Sequence, residues 1–533
     1  MSEPPLSPPP SKGPVWPGIA IGVVIALVVA GGAFGVVKLR DRDATGPSST
    51  PSASGSGDAG ASNTPTAAMP STDASLARFY DQKLTWKSCG SDECASMSVP
   101  LDYADPTGKT IELKMVKVAA TGKRVGSLVV NPGGPGGSAI QYAQSSSSWP
   151  SAISQHFDLI GVDPRGVGES TPLECLDTAG TDQVVASDPD PDTDAERATL
   201  DDLIKGFGDG CLAKSGDLAK HMSTVEVAKD MDVLRQLLGE SKLDYFGASY
   251  GTFIGATYAG LFPTHVGRMV LDGAIDPALS NSELNLGQAH GFETALRAYV
   301  ADCVSRGSCV LGDSVDAGTQ KIRQFIDQLD AQPLPTNSSR KLTAGLGVLG
   351  IWLPLYVKSY WPILTQALTQ AMDQGNGSTL LALADQYTSR GSSGYTDNSL
   401  NALYAVNCLD HDDSIPVDQV PSHYAEFEKA SPTFGRIFAY SLSTCSTWPV
   451  QDKRTSHAIS AKGAPPIVVV GTTRDPATPY AWAKGLAREL DSGVFVSRNG
   501  DGHTGFNQGN SCVDSAVEDY LVEGKVPKND LRC

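Results

Sequence analysis

The chain reads as an α/β protein with a mostly parallel central sheet and an inserted helical lid domain. Three observations predict this. Short apolar strands alternate with helical periodicity from about Leu84 to Leu271, and again from Pro466 to Arg498. Between about Ser280 and Ser456 the alternation lapses into helical patterns such as Gly291–Cys303, Ile322–Leu329 and Trp352–Met372. Finally, Leu243–Tyr258 runs as strand, sharp turn and helix, with Gly247-Ala-Ser-Tyr-Gly251 at the turn. The predicted organisation is therefore a sheet-bearing core at 81–279 and 457–533, split by a helical lid at 280–456.

The residues before the core read differently. At 533 residues and 40% hydrophobic the chain can bury a large core, and its net charge of -18 argues against nucleic acid as a partner. After a short N-terminus at 1–14, residues 15–37 carry no charge. As a helix they would span about 35 Å, enough for a hydrocarbon core of about 30 Å and longer than the apolar part of a cleaved signal peptide. We read a single-pass anchor. Residues 38–80, rich in Ser, Pro, Gly, Thr and Ala, are a flexible spacer. Counting Lys38, Arg40 and Arg42 against Lys12 would place the body in the cytoplasm. The spacer and the cysteines point the other way, to an extracytoplasmic body, anchored or shed, with a cytoplasmic N-terminus.

The ten cysteines are even in number, with neither Cys-x-x-Cys spacing nor a Cys/His cluster that would suggest a metal. Disulfides in an oxidising compartment account for them better. Pairing neighbours gives Cys89–Cys94, Cys175–Cys211, Cys303–Cys309, Cys408–Cys445 and Cys512–Cys533, one connectivity among many that sequence leaves open.

In chain order, Leu84–Val99 and Ile111–Ala119 read as early strands, and Ser127–Asn131 as a short buried one. It leads into Pro132-Gly-Gly-Pro-Gly-Gly-Ser138. Glycines so dense supply backbone N–H groups rather than packing. A phosphate loop is excluded because no Lys-Ser/Thr follows and the spacing is not Gly-x-Gly-x-x-Gly. The strand Phe157–Val162 ends in Asp163-Pro-Arg-Gly-Val-Gly168, whose charges should lock neighbouring loops. The acidic run Asp188–Asp202 reads as a solvated loop. Ser223-Thr-Val-Glu226 is a capping box opening a helix that ends at Gly239.

A serine at a strained strand-to-helix turn is a nucleophile that needs a base and a group to orient it, each beyond the end of a strand. His503, alone in Asn499-Gly-Asp-Gly-His-Thr-Gly505 after the last strand, is the base; His265 reads as structural. Two acids compete, Asp475 after the strand Ile467–Gly471 and Asp272 after Arg268–Leu271. Asp475 is favoured because Pro476-Ala-Thr-Pro479 behind it begins a helix. The glycine loop then offers Gly134, and the elbow Tyr250, as backbone donors to an oxyanion.

These motifs resemble the secreted or membrane-anchored tripeptidyl aminopeptidases of actinobacteria, α/β-hydrolases related to the proline iminopeptidases. The resemblance covers roughly Leu84 to Cys533. It rests on Asn131-Pro-Gly-Gly-Pro-Gly-Gly137, Asp163-Pro-Arg-Gly-Val-Gly168, Gly247-Ala-Ser-Tyr-Gly-Thr252, Leu271-Asp-Gly273, Thr478-Pro479 and Gly502-His503. It departs from the iminopeptidases in having Asn-Pro where they carry His-Gly before the glycine loop. The resemblance implies a cofactor-free, monomeric serine exopeptidase that reads the free N-terminus of peptide substrates and releases short peptides, tripeptides above all. An esterase or lipase with the same three residues is the alternative, and a non-catalytic binding protein on the same fold a more distant one. An enzyme of this kind needs a carboxylate for the substrate's ammonium group; Asp410, of the three acids in Asn407-Cys-Leu-Asp-His-Asp-Asp413 the nearest to Cys408, is the expected one.

Overall fold

The computed structural model describes residues 74–450 and 456–533. The segment read as an anchor, and the spacer up to residue 73, lie outside the described residues. Among those described, no helix is long and apolar enough to cross a membrane.

Ten strands form one sheet. They are β1 (Lys87–Cys89), β2 (Asp92–Pro100), β3 (Thr110–Val118), β4 (Gly126–Asn131), β5 (Phe157–Val162), β6 (Leu243–Ala248), β7 (Val266–Asp272), β10 (Ile467–Arg474), β11 (Gly493–Asp501) and β12 (Leu531–Arg532). A separate two-stranded ribbon, β8 (Arg390–Gly391) with β9 (Gly394–Tyr395), lies in the helical region. The order is β1-β2-β3-β5-β4-β6-β7-β10-β11-β12. Pairs from β5 to β12 are parallel; those joining β1, β2, β3 and β5 are antiparallel.

Parallel strands are covered on both faces, so their residues are apolar without alternation. In β10, Ile467 and Val469 enter the core on one side of the sheet while Val468 and Val470 enter the other. Met269 and Leu271 of β7 likewise oppose Val270. A third core lies mainly among helices, built around Phe292, Leu296, Ile322, Ile351, Leu364 and Phe438. These belong to the helices Asn281–Ser305, Val315–Ala331, Ala344–Tyr356, Trp361–Gln374 and Gly435–Tyr440, all between β7 and β10. Val185, from the earlier helix Thr178–Val185, joins the same core.

Several local expectations are corrected. Leu84–Val99 is not one strand, because Gly90 turns the chain in the left-handed region (φ 71°) and folds β1 back on β2, with Cys89 bonded to Cys94 across the turn. The acidic run is not a loop throughout. From Asp194 it is the start of a helix to Ser215, whose capping box pairs Thr193 with Glu196; the signature Thr-x-x-Glu outweighs the charge. The pattern Trp352–Met372 is two helices, broken before Trp361-Pro362, since a proline cannot continue the ladder. All ten cysteines are bonded, in the five neighbouring pairs.

Candidate active site

Ser249 follows β6 with φ 55° and ψ -125°, a backbone conformation that non-glycine residues rarely hold. The surroundings enforce it. The Ser249 N–H donates to the Asp272 carbonyl oxygen (2.9 Å), and its own carbonyl accepts from the Thr252 side chain. A Cβ at Gly247 would collide with the Gly251 carbonyl oxygen, so strand and helix meet where side chains are absent. Ser249 thereby stands half-exposed at the N-terminus of the helix Tyr250–Leu261. The first N–H groups of a helix have no partner within it and concentrate positive potential there.

His503 follows β11 and is buried. Its Nδ1 lies 2.8 and 2.9 Å from the two carboxylate oxygens of Asp475, beyond β10. Asp475 is fixed in turn: Oδ1 accepts from the Ala477 and Thr478 N–H groups, and Oδ2 from the Thr504 N–H. The imidazole is held from the helical side too. Its backbone N–H donates to the Tyr356 carbonyl (2.9 Å), and the Tyr356 ring stands edge-on to it at 5.3 Å. Thr478 Oγ1 lies 3.3 Å from Nδ1. Tyr356 carries no motif and sequence reasoning missed it; Thr478 belongs to the Thr478-Pro479 motif, to which that reasoning gave no role at the imidazole.

Asp272 does not reach the imidazole. Its two oxygens accept from the Gly505 and Phe506 N–H groups, 2.8 Å each, so it pins the loop behind His503. Burial pushes its carboxyl up to about 7, against the pull of those two donors and of His503. His265 sits apart, bonded to buried Asp232.

The glycine loop leaves β4 beside the elbow. Asn131 Oδ1 accepts from Gly133 N–H, closing the turn. Ser138 caps the following helix and donates to Asp163, which also accepts from Ile140 and Glu169. Arg165, fully buried, forks onto Asp230 with two 2.8 Å bonds and donates to the Pro100, Leu101 and His221 carbonyls. A buried ion pair so fully bonded holds geometry more than it adds stability. The charges of the Asp163 turn therefore anchor the loop that carries Gly134.

Ser249, Gly134, Tyr250 and His503 line a cavity of about 500 Å3. Phe292, Trp352, Tyr356, Phe438 and Tyr440 of the helical region line it too. Asp410, the expected partner for a substrate ammonium group, is elsewhere. It is buried against the start of the helix Thr224–Leu237, where Oδ1 accepts from Thr224 N–H (2.9 Å) and Oδ2 from Thr224 Oγ1 (2.5 Å). This corrects the sequence reading: the helix end attracts the carboxylate, and Asp410 caps it in place of Ser223, whose hydroxyl donates to Glu226 instead. Thr224 Oγ1 also bonds the Tyr250 hydroxyl, linking Asp410 to the elbow from behind.

A serine on a nucleophile elbow, lining the same cavity as a carboxylate-held histidine at the ends of parallel strands, defines a serine hydrolase of the α/β-hydrolase class. The comparisons with known proteins narrow this. The family described as TAP-like protein matches residues 431–533, the stretch holding Asp475 and His503. The serine protease Hip1 of Mycobacterium tuberculosis is 37% identical over 85% of this chain and 91% of its own. The carboxylesterase B of the same species is 35% identical over 83% and 86%. The tripeptidyl aminopeptidase of Streptomyces lividans is 29% identical over 86% and 88%. The chain belongs to this TAP-like family of serine hydrolases, which includes serine proteases.

Proposed function

We propose that the protein is an exopeptidase that releases short peptides, tripeptides above all, from the free N-termini of peptide substrates. The observation that carries this reading is the Asp475–His503 pair facing the same cavity as Ser249. His503, its Nδ1–H held by Asp475, accepts the Ser249 proton through Nε2 as the hydroxyl oxygen attacks a peptide carbonyl. The N–H groups of Gly134 and Tyr250 receive the developing oxyanion, each contributing about 3 kcal/mol. The imidazolium then protonates the leaving amine. Water, activated by the same histidine, hydrolyses the acyl-enzyme. Asp475 keeps the tautomer and steadies the imidazolium.

The test is to incubate the protein with free and N-acetylated peptides and to read the fragments by mass. Loss of three residues at a time from free peptides only is the expected result. Ester cleavage with intact peptides would favour the second reading, an ester hydrolase, which the resemblance to a carboxylesterase keeps in view.

We further propose that residues 15–37 anchor the chain in a membrane with the catalytic body, a monomer, outside the cytoplasm. Five disulfides, which persist in oxidising compartments, support that side of the membrane. Protease added to intact cells should degrade the body; protection would place it inside.

A further inference from the structure

One helix runs along the cavity for its whole length. Gly345, Val348, Leu349, Trp352, Leu353 and Tyr356 line it, steps of three and four that select a single face of the helix Ala344–Tyr356. At the C-terminal end of that face, Tyr356 touches His503 through both its carbonyl and its ring. At the N-terminal end, a Cβ on Gly345 would collide with the Ser187 carbonyl oxygen and lie 2.7 Å from that of Val185. The backbone just before Asp188 therefore rests on the start of this helix. Eleven residues at 1.5 Å each separate the two ends by about 16 Å.

Asp188 lines the cavity at that far end and is the one carboxylate among its described lining residues, which include no Lys or Arg. One of its oxygens accepts from the Asp190 N–H (3.1 Å), and among the described residues no cation pairs with it. Burial, with Asp190, Asp330 and Glu196 near, pushes its carboxyl up to about 7. A half-buried carboxylate without a counter-charge, at the far end of an apolar cleft, favours a cationic ligand group.

We propose that Asp188 anchors the free ammonium group of the substrate and that the helix Ala344–Tyr356 sets how many residues lie between this anchor and Ser249. The inference rests on the peptidase reading above. About 3 Å is taken up by the ammonium–carboxylate contact and about 3 Å by the approach of the hydroxyl to the carbonyl. The remaining ~10 Å holds three extended residues at about 3.4 Å each.

The experiment compares the parent with Asp188→Asn, which keeps the volume and an acceptor for the Asp190 N–H. Substrates are trialanyl p-nitroanilide with a free and with an acetylated N-terminus, and p-nitrophenyl acetate, too short to reach Asp188. The variant should lose at least tenfold in kcat/KM on the free peptide and most of its discrimination against the acetylated one, with ester turnover unchanged. An unchanged free-to-acetylated ratio overturns the anchor. A parent that turns over the ester but neither peptide overturns the peptidase reading, and the anchor with it. A variant that unfolds would lose ester turnover as well; Asp188→Glu then decides, since moving the carboxylate by one methylene should change the ratio and its constancy overturns the proposal.

Discussion

Asp475 and Asp272 follow neighbouring strands, yet their oxygens are committed to different partners. Asp475 holds the imidazole; Asp272 holds two backbone N–H groups of the loop beyond it. Asp475→Asn should therefore lower kcat by roughly three to four orders of magnitude with little change in Tm, because the wrong tautomer of His503 is favoured. Asp272→Asn should do the reverse. An amide can accept only one of the two N–H groups, and the one left unpaired costs about 1–3 kcal/mol in stability. Steady-state kinetics and thermal unfolding of the two variants check the pair; a larger kinetic loss in Asp272→Asn would reassign the acid. Ser249→Ala should abolish turnover and remain folded, since the hydroxyl projects from the elbow into the cavity; retained hydrolysis by the folded variant would remove Ser249 from the mechanism.

Elements from the helical region and the sheet are joined by a seam behind the cavity. Gly136 of the glycine loop faces the start of the helix Ser399–Asp410, and a Cβ there would lie 2.5 Å from the Ser399 carbonyl oxygen. Gly136→Ala must displace loop or helix, and a displacement of about 1 Å at an oxyanion donor costs roughly 100-fold in rate. Such a loss on every substrate, ester included, is the expected outcome in a kinetic assay; a loss confined to peptides would point to substrate binding. The other end of the same helix is stapled by Cys408–Cys445, 37 residues apart in sequence. Replacing both cysteines by alanine should cost about 4 kcal/mol by loop entropy, seen as a lower Tm. Sequence patterns showed the strands well enough to be read, but neither the helix that Thr193 caps nor this seam. Asp410 looked available because it is acidic and close to a cysteine. Only the fold reveals that the Thr224 helix end lies against it.

For the whole molecule, the acid–base balance is set by buried carboxyls. Burial raises Asp163, Asp190 and Asp244, and takes Asp188, Asp272 and Glu489 to about 7. A carboxyl raised in the folded state stabilises fully below its unfolded value and loses that contribution as pH rises through the folded one. Asp182 and Asp501, bonded to Arg390, Arg474 and Lys358, are lowered and act oppositely, losing their contribution as pH falls below the ordinary carboxylate range. Tm should therefore climb as pH is taken from 8 to about 5 and fall again below about 4; a Tm highest above pH 8 would contradict this. The residues that could be read from sequence were those on strained turns, where a serine, a histidine or clustered glycines have a chemical reason to be. Asp188 could not be, because it lies in an acidic run whose charges all look solvated until the fold shows which of them face inward.

The roof of helices over the cavity also sorts substrates by compactness. With its ammonium group at Asp188 as proposed, a polypeptide must send its first residues past Tyr356 and Trp352, both of which line the cavity, as an extended thread. A native protein whose N-terminus is tied into a helix or sheet cannot present such a thread without partly unfolding. Folded proteins would thus be spared, while fragments and frayed ends are shortened.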